Sequence, residues 1–194
     1  MKSFLNVSQG IRFAAVLGGL LALAPGARAE QIINSVNTPT VEVWTIREPN
    51  ISQPVSVYPF IRFRPGDDVT IIAGGCDQTG GHGKTWKRYV DPQGPNSDRL
   101  YHGLIGIPGV TAPINSDQLT RIAYIATEPL SPGVWRGSFT IPRSANPYYL
   151  YLQLGFEDDG YGDNGYWGRE GDDGTGDQCK GLPNAFVEVE IFHH

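Results

Sequence analysis

Phe186-Val187-Glu188-Val189-Glu190-Ile191-Phe192, close to the C-terminus, alternates acidic and apolar residues with a period of two. Only an extended chain sends successive side chains to opposite faces, so the stretch reads as a strand with its acids on one side and its apolar residues on the other. Working back toward the N-terminus, similar β-branched and aromatic runs recur at 31–36, 41–46, 55–63, 69–73, 104–107, 119–125, 134–141 and 148–156. Between them lie turn formers such as Arg64-Pro65-Gly66-Asp67, Pro108-Gly109 and Pro132-Gly133. No stretch carries an amphipathic helix of three turns. The pattern predicts an all-β fold, an antiparallel β-sandwich or jelly roll, with no internal repeat and no second domain.

The first 29 residues are set apart from this pattern. Lys2 and Arg12 precede an apolar run from Phe13 to Ala24, and Ala27-Arg28-Ala29 is a small-x-small sequence. These are the parts of a secretory signal peptide, with cleavage expected between Ala29 and Glu30 and residues 30–194 left as one domain. The apolar run is too short to span a bilayer, and no later segment approaches the required length. Export places the protein in the periplasm or outside the cell. Cleavage removes three basic residues and no acidic one, taking the formal net charge from -5 to -8. So acidic a chain excludes nucleic acid and anionic membrane as partners held by general electrostatics, and favours a cation, a neutral ligand such as carbohydrate, or both. Self-association is compatible with the sequence. The two cysteines, Cys76 and Cys179, form an even set in an oxidising compartment and are expected to pair.

Two long connections interrupt the regular spacing of strands, at 74–103 and 155–183, and long loops on a sandwich are where function collects. The second reads GFEDDGYGDNGYWGREGDDGTGDQCKGLP, with Glu157, Asp158, Asp159, Asp163, Glu170, Asp172, Asp173 and Asp177 against Arg169 and Lys180. Carboxylates at that density repel one another unless a cation sits among them, and frequent glycine lets the backbone aim carbonyl oxygens inward. Oxygen-only ligands are what calcium requires. Asp158 and Asp163 offer carboxylates, Asn164 an amide oxygen, and Gly160 or Tyr161 a carbonyl. The spacing is not that of an EF-hand: with Asp159 first and Glu170 twelfth, Tyr161 and Asn164 occupy places that need an oxygen ligand and the turn glycine. A solvated acidic loop tip is the alternative. Asp172 to Asp177 forms either a second ion site or an acidic insertion.

The first loop, Gly74-Gly75-Cys76-Asp77-Gln78-Thr79-Gly80-Gly81-His82-Gly83-Lys84-Thr85-Trp86, would be stapled to the second by the cysteine pair. Its Gly83-Lys84-Thr85 lacks the strand–loop–helix setting of a phosphate loop. Around the loops stand Trp86, Tyr89, Tyr101, Tyr161, Tyr166 and Trp167. Most are expected in the core, with Tyr166 and Trp167 the candidates for exposure and for stacking on a sugar ring. His82 and His102 lack zinc spacing, and His193-His194 reads as incidental. No nucleophile elbow, zinc helix motif or cysteine nucleophile is present, so the chain is not expected to be an enzyme. A carboxylate pair working as a glycosidase is the weaker alternative.

The segment Arg64-Pro65-Gly66-Asp67-Asp68-Val69-Thr70-Ile71-Ile72-Ala73-Gly74-Gly75, the later Gly103-Leu104-Ile105-Gly106, and Glu157-Asp158-Asp159-Gly160-Tyr161-Gly162-Asp163-Asn164 before the last strand together resemble the calcium-dependent, galactose-binding bacterial lectins. The resemblance runs from about Val55 to Phe192. It implies a galactose-binding-type β-sandwich holding one calcium that itself coordinates two sugar hydroxyls. By that resemblance the calcium ligands would be Asp158, Asp163 and Asn164, with carbonyls near Gly160 or Tyr161 and near Gln78 or Thr79. Sugar contacts would come from Asp158, Asp163, Arg99, Tyr101, His102 and Trp167. The chain departs from the family by a calcium loop about two residues shorter and by the insertion Gly168 to Leu182. The expected function is a secreted, calcium-dependent carbohydrate-binding protein. The alternative is an exported structural domain whose calcium rigidifies the loops.

Overall fold

The computed structural model describes residues 30–80, 85–92, 100–111, 119–166 and 178–194. The signal-peptide reading, Arg99, Trp167 and the bulk of the 168–182 insertion lie outside these residues.

Among the described residues there are twelve strands, and their pairings are antiparallel. A six-stranded sheet has the order β1-β2-β12-β4-β10-β9 and a four-stranded sheet the order β3-β11-β7-β8, while β5 and β6 form a separate hairpin. The strands are β1 (Gln31–Asn37), β2 (Val41–Arg47), β3 (Val55–Arg62), β4 (Asp68–Gly74), β5 (Cys76–Gly80), β6 (Thr85–Arg88), β7 (His102–Gly106), β8 (Thr120–Arg121), β9 (Glu128–Ser131), β10 (Val134–Thr140), β11 (Tyr151–Glu157) and β12 (Phe186–Phe192). The helical segments among the described residues are three short 3-10 turns. The fold class is therefore the one the sequence predicts.

Period-two alternation does the work expected of it. Val187, Val189 and Ile191 of β12 are fully buried, while Phe186, Glu188 and Glu190 are half-buried on the other face. Strand β4 repeats this with Val69, Ile71 and Ala73. These side chains join Tyr58, Ile61, Ile105, Leu152, Leu154 and Phe156 of the four-stranded sheet in one contiguous apolar cluster. Burying one such side chain contributes roughly 1.5–3 kcal/mol. The cluster therefore fixes which face of each sheet turns inward.

Several expectations are corrected. The run 119–125 is not one strand: after Thr120–Arg121 the chain winds into a 3-10 turn, Ile122–Tyr124. Its buried residues Leu119, Ile122 and Ala126 recur every three to four positions, which suits a helical turn and not a strand. The run 148–156 begins as a strand only at Tyr151, because Pro147–Tyr149 is a 3-10 turn whose first free N–H, that of Tyr148, is capped by the Asn146 side chain. Strand β9, with Pro129 and every side chain exposed, was not apparent from the sequence; it is an edge strand, where proline is tolerated. The 74–103 connection contains β5 and β6. His193 is also not incidental. Its ring is buried, with Nδ1 3.0 Å from Asp67 Oδ1 and Nε2 3.2 Å from Glu42 Oε1, and it pins the C-terminus against β2 and the Arg64–Asp67 turn.

Topology explains why the two long connections meet. Strands β4 and β12 are neighbours, with Gly74 opposite Phe186, and β7 and β11 are neighbours, with Gly103 opposite Phe156. The β4-to-β7 connection and the β11-to-β12 connection each cross from one sheet to the other at that same end.

Candidate functional site

The β5–β6 hairpin is wedged between the two crossings. Cys76 pairs across to Arg88, Asp77 to Lys87 and Gln78 to Trp86. On its other side β5 meets the second loop. The Cys76 N–H donates to the Pro183 carbonyl (2.9 Å), the Ala185 N–H donates to the Cys76 carbonyl (2.8 Å), and Gln78 and Gly165 exchange two backbone hydrogen bonds of 3.0 Å. Paired with β6 on one edge and bridged to Asn184 and Gly165 on the other, all five residues of β5 are buried. Gly75, at φ +81, turns the chain into the hairpin; a side chain there would meet the Asn184 carbonyl at 2.4 Å.

The expected disulfide is present. Cys76 and Cys179 are bonded, with Cα atoms 5.9 Å apart. Around the bridge, Arg88 Nε donates to the Gln178 carbonyl (3.0 Å) and Gln178 Nε2 donates to the Trp86 carbonyl (3.2 Å). The Gln178–Gly181 turn is thus fastened to the hairpin by covalent and polar contacts together.

The acidic loop folds on itself. Asp158 Oδ1 accepts from the N–H groups of Asp159 (2.6 Å) and Gly160 (3.1 Å), an Asx-type turn. Asn164 Nδ2 donates to Asp158 Oδ2 (2.7 Å) and to the Ile51 carbonyl (2.9 Å). Between them Tyr161–Asp163 forms a 3-10 turn, with the Tyr161 hydroxyl donating to the Phe156 carbonyl (3.0 Å). Asp163 Oδ2 lies 3.2 Å from where a side chain on Gly80 would begin, so the Asp163 carboxylate rests against the end of β5. The structure therefore brings Asp158, Asp163, Asn164, Gly160 and Tyr161 together with Gln78 and Thr79.

Among the described residues, nine buried side-chain polar atoms lack a hydrogen-bond partner, and six of them are oxygens of this region: Asp77 Oδ1 and Oδ2, Gln78 Oε1, Thr79 Oγ1, Tyr89 Oη and Asn164 Oδ1. Each such atom costs roughly 1–3 kcal/mol if nothing completes it, and more where it is charged. Burial, and then the charge of Asp158, pushes the Asp77 carboxyl well above the ordinary carboxylate range. Burial, followed by the charge of Asp77, does the same to the phenols of Tyr89 and Tyr166. Asp158 is also raised, chiefly by burial, against the lowering effect of its hydrogen bond from Asn164.

Asp77 and Tyr89 were not singled out as site residues in the sequence; a charged residue beside a bridged cysteine, in a run with a glycine-rich turn, was the available signal. Tyr101 is half-buried with a left-handed backbone (φ 69), and the Lys87 ammonium stands 5.7 Å from its ring centre. His102 is buried at the start of β7, opposite Glu157. Tyr166, expected to be exposed, is instead a core residue whose hydroxyl donates to the Pro49 carbonyl (2.9 Å). Trp86 is buried as well.

An open cleft of about 490 Å³ lies beyond the bridge, lined in part by Arg47, Glu48, Asn184, Phe186 and Glu188. Two pairs of its polar side chains are engaged with each other, Asn184 Nδ2 with Glu48 Oε1 (2.6 Å) and Thr45 Oγ1 with Glu188 Oε2 (3.1 Å). Among the described residues no helix is long and apolar enough to cross a membrane.

No three His, Cys, Asp or Glu side chains among the described residues are grouped to hold a metal. A cation here would have to be held by carboxylates supplemented with amide, hydroxyl and carbonyl oxygens. The chain matches no family model, no curated protein and no solved structure in comparisons with each.

Proposed function

We propose that this is an exported, non-enzymatic protein that binds calcium where the acidic loop meets strand β5, and carbohydrate through that ion. The observation that carries the reading is the set of partnerless buried oxygens that strand β5 and the acidic loop contribute, those of Asp77, Gln78, Thr79 and Asn164, with Asn164 bonded to the Asp158 carboxylate. Oxygen is the donor type of this set, as calcium requires, and two carboxylates balance a doubly charged ion. Cys76 and Cys179, the residues that would offer sulfur to a softer metal, are consumed in their disulfide.

The residues divide the work by depth. Asn164 is held by its amide nitrogen to Asp158 and the Ile51 carbonyl, which turns its free oxygen away from both. Asp158 and Asp163 are half-buried, so part of each stays within reach of a ligand's hydroxyls. Calcium when bound would supply the remaining coordination positions for a pair of vicinal hydroxyls. The lectin resemblance supports the same arrangement.

Calcium titration by calorimetry, with glycan-array binding measured in calcium and in chelator, tests this. Heat on titration and loss of glycan signal in chelator are expected. No heat would remove the calcium reading, and an unchanged glycan signal in chelator would remove the sugar mechanism. A second reading is favoured by the depth of Asp77, Thr79 and Asn164, all nearly inaccessible: the ion only rigidifies the loops. In that case calcium raises the melting temperature and no glycan binds.

A further inference from the structure

We propose that Asp77 is a direct cation ligand, the buried floor of the site on strand β5. This rests on the calcium reading but names a residue that the acidic loop does not contain and that the lectin resemblance does not supply. The geometry is specific. Asp77 is 0% exposed, sits mid-strand in a hairpin buried on both edges, and neither carboxylate oxygen has a partner. A buried carboxylate ordinarily keeps at least one donor or cation.

The neighbours do not provide one. Asp158, from the other crossing, is close enough for its negative charge to act on Asp77, which adds repulsion to the cost of burial. The cation that acts on Asp77 is Lys87, its cross-strand partner, whose ammonium is drawn toward the Tyr101 ring at 5.7 Å. Thr79 Oγ1, at the bulge two residues further along β5, Tyr89 Oη, whose phenol feels the charge of Asp77, and Asn164 Oδ1 are likewise without partners. A hard dication between Asp77 and Asp158 would supply the partner that Asp77 lacks and neutralise both carboxylates, with these neutral oxygens as the available further ligands. It also joins the two crossings at a second point, beside the disulfide one residue earlier.

The test uses the full mature protein, Asp77→Asn, Asp77→Ser and, as a control on an exposed neighbour, Asp159→Asn. Calcium chloride is titrated by calorimetry, and terbium in parallel with emission excited through the aromatic side chains. In calcium-free buffer both Asp77 variants are expected to be at least as stable as wild type, because an uncompensated charge has been removed. Their calcium affinity is expected to fall at least about tenfold, with loss of terbium emission, and that of Asp159→Asn to stay unchanged. If wild type binds calcium and the Asp77 variants bind it equally well, Asp77 is no ligand while the calcium reading stands. If the Asp77 variants are less stable than wild type, or fail to fold, in calcium-free buffer, the carboxylate is a structural partner of Lys87 and the inference is overturned. If wild type gives neither heat nor emission, the calcium reading itself fails.

Discussion

Replacing Cys179 with alanine should cost about 3–5 kcal/mol of stability. The bridged residues are 103 positions apart, and a cross-link closing a loop of that length removes about 4.7 kcal/mol of chain entropy from the unfolded state. Most of this should appear in the measurement, because the native side changes little. The 178–185 segment keeps the hydrogen bonds from Arg88 and Gln178, and those joining Cys76 to Pro183 and Ala185. Cys179 is the residue to change. It sits half-buried in a turn, whereas Cys76 is buried and remains as a small apolar side chain. Urea unfolding, followed by the fluorescence of buried Trp86 and Trp135 in chelator, isolates the bridge from any ion. The corresponding drop in melting temperature is roughly 6–20 °C. A variant within about 1 kcal/mol of wild type at unchanged m-value would refute the reasoning. It would mean that the bridge orders the native loop as much as it restricts the unfolded chain.

Two further outcomes concern buried charge. His193→Ala leaves Asp67, 2% exposed, with the Arg64 N–H on one oxygen and nothing on the other. The expected loss is about 3–5 kcal/mol, and less for His193→Gln, both by urea unfolding; a loss under about 1 kcal/mol for the alanine variant would show the ring to be dispensable. For Asp77, a carboxyl raised above its unfolded value stays protonated in the fold after the unfolded chain has released its proton. Its contribution to stability is therefore fullest below about pH 4 and declines as pH rises toward the folded value. Calcium-free wild type should lose stability relative to Asp77→Asn between about pH 4 and pH 7. A difference independent of pH would contradict the burial of that charge.

Strands β4, β10 and β12 were legible in the sequence because one face is buried and one is not, which stamps a period of two on the residues. Strand β5 carries no such stamp. All five of its residues are buried, and Cys-Asp-Gln-Thr-Gly has the composition of a loop. Its burial comes from strand pairs on both edges and from the disulfide, which are long-range facts. Asp158, Asp163 and Asn164 could be picked out because acidic and amide oxygens among glycines state their chemistry locally. Asp77 states nothing until the hairpin closes around it. His193 was passed over for the same reason: its partners Asp67 and Glu42 stand 126 and 151 positions away. The disulfide was legible from a count of two cysteines and the expectation of export, since pairing needs no knowledge of the fold.

Tyr89 shows a last consequence of the arrangement. Its ring stacks on Phe156, 6.2 Å between centres, and occupies the space that a side chain on Gly103 would need, 2.5 Å from where that side chain would begin. The hydroxyl of the same residue is itself buried without a partner, and close enough to Asp77 to feel its charge. The interior of the four-stranded sheet and the floor of the loop site thus share one side chain, so neither can drift in sequence alone. A larger residue at 103 would lift the ring and tilt the hairpin that carries Asp77, altering the site from the far side of the sheet. In the outer turn, by contrast, a side chain added at Gly160 or Gly162 would meet open space, so among the described residues of the acidic loop these positions carry no such constraint.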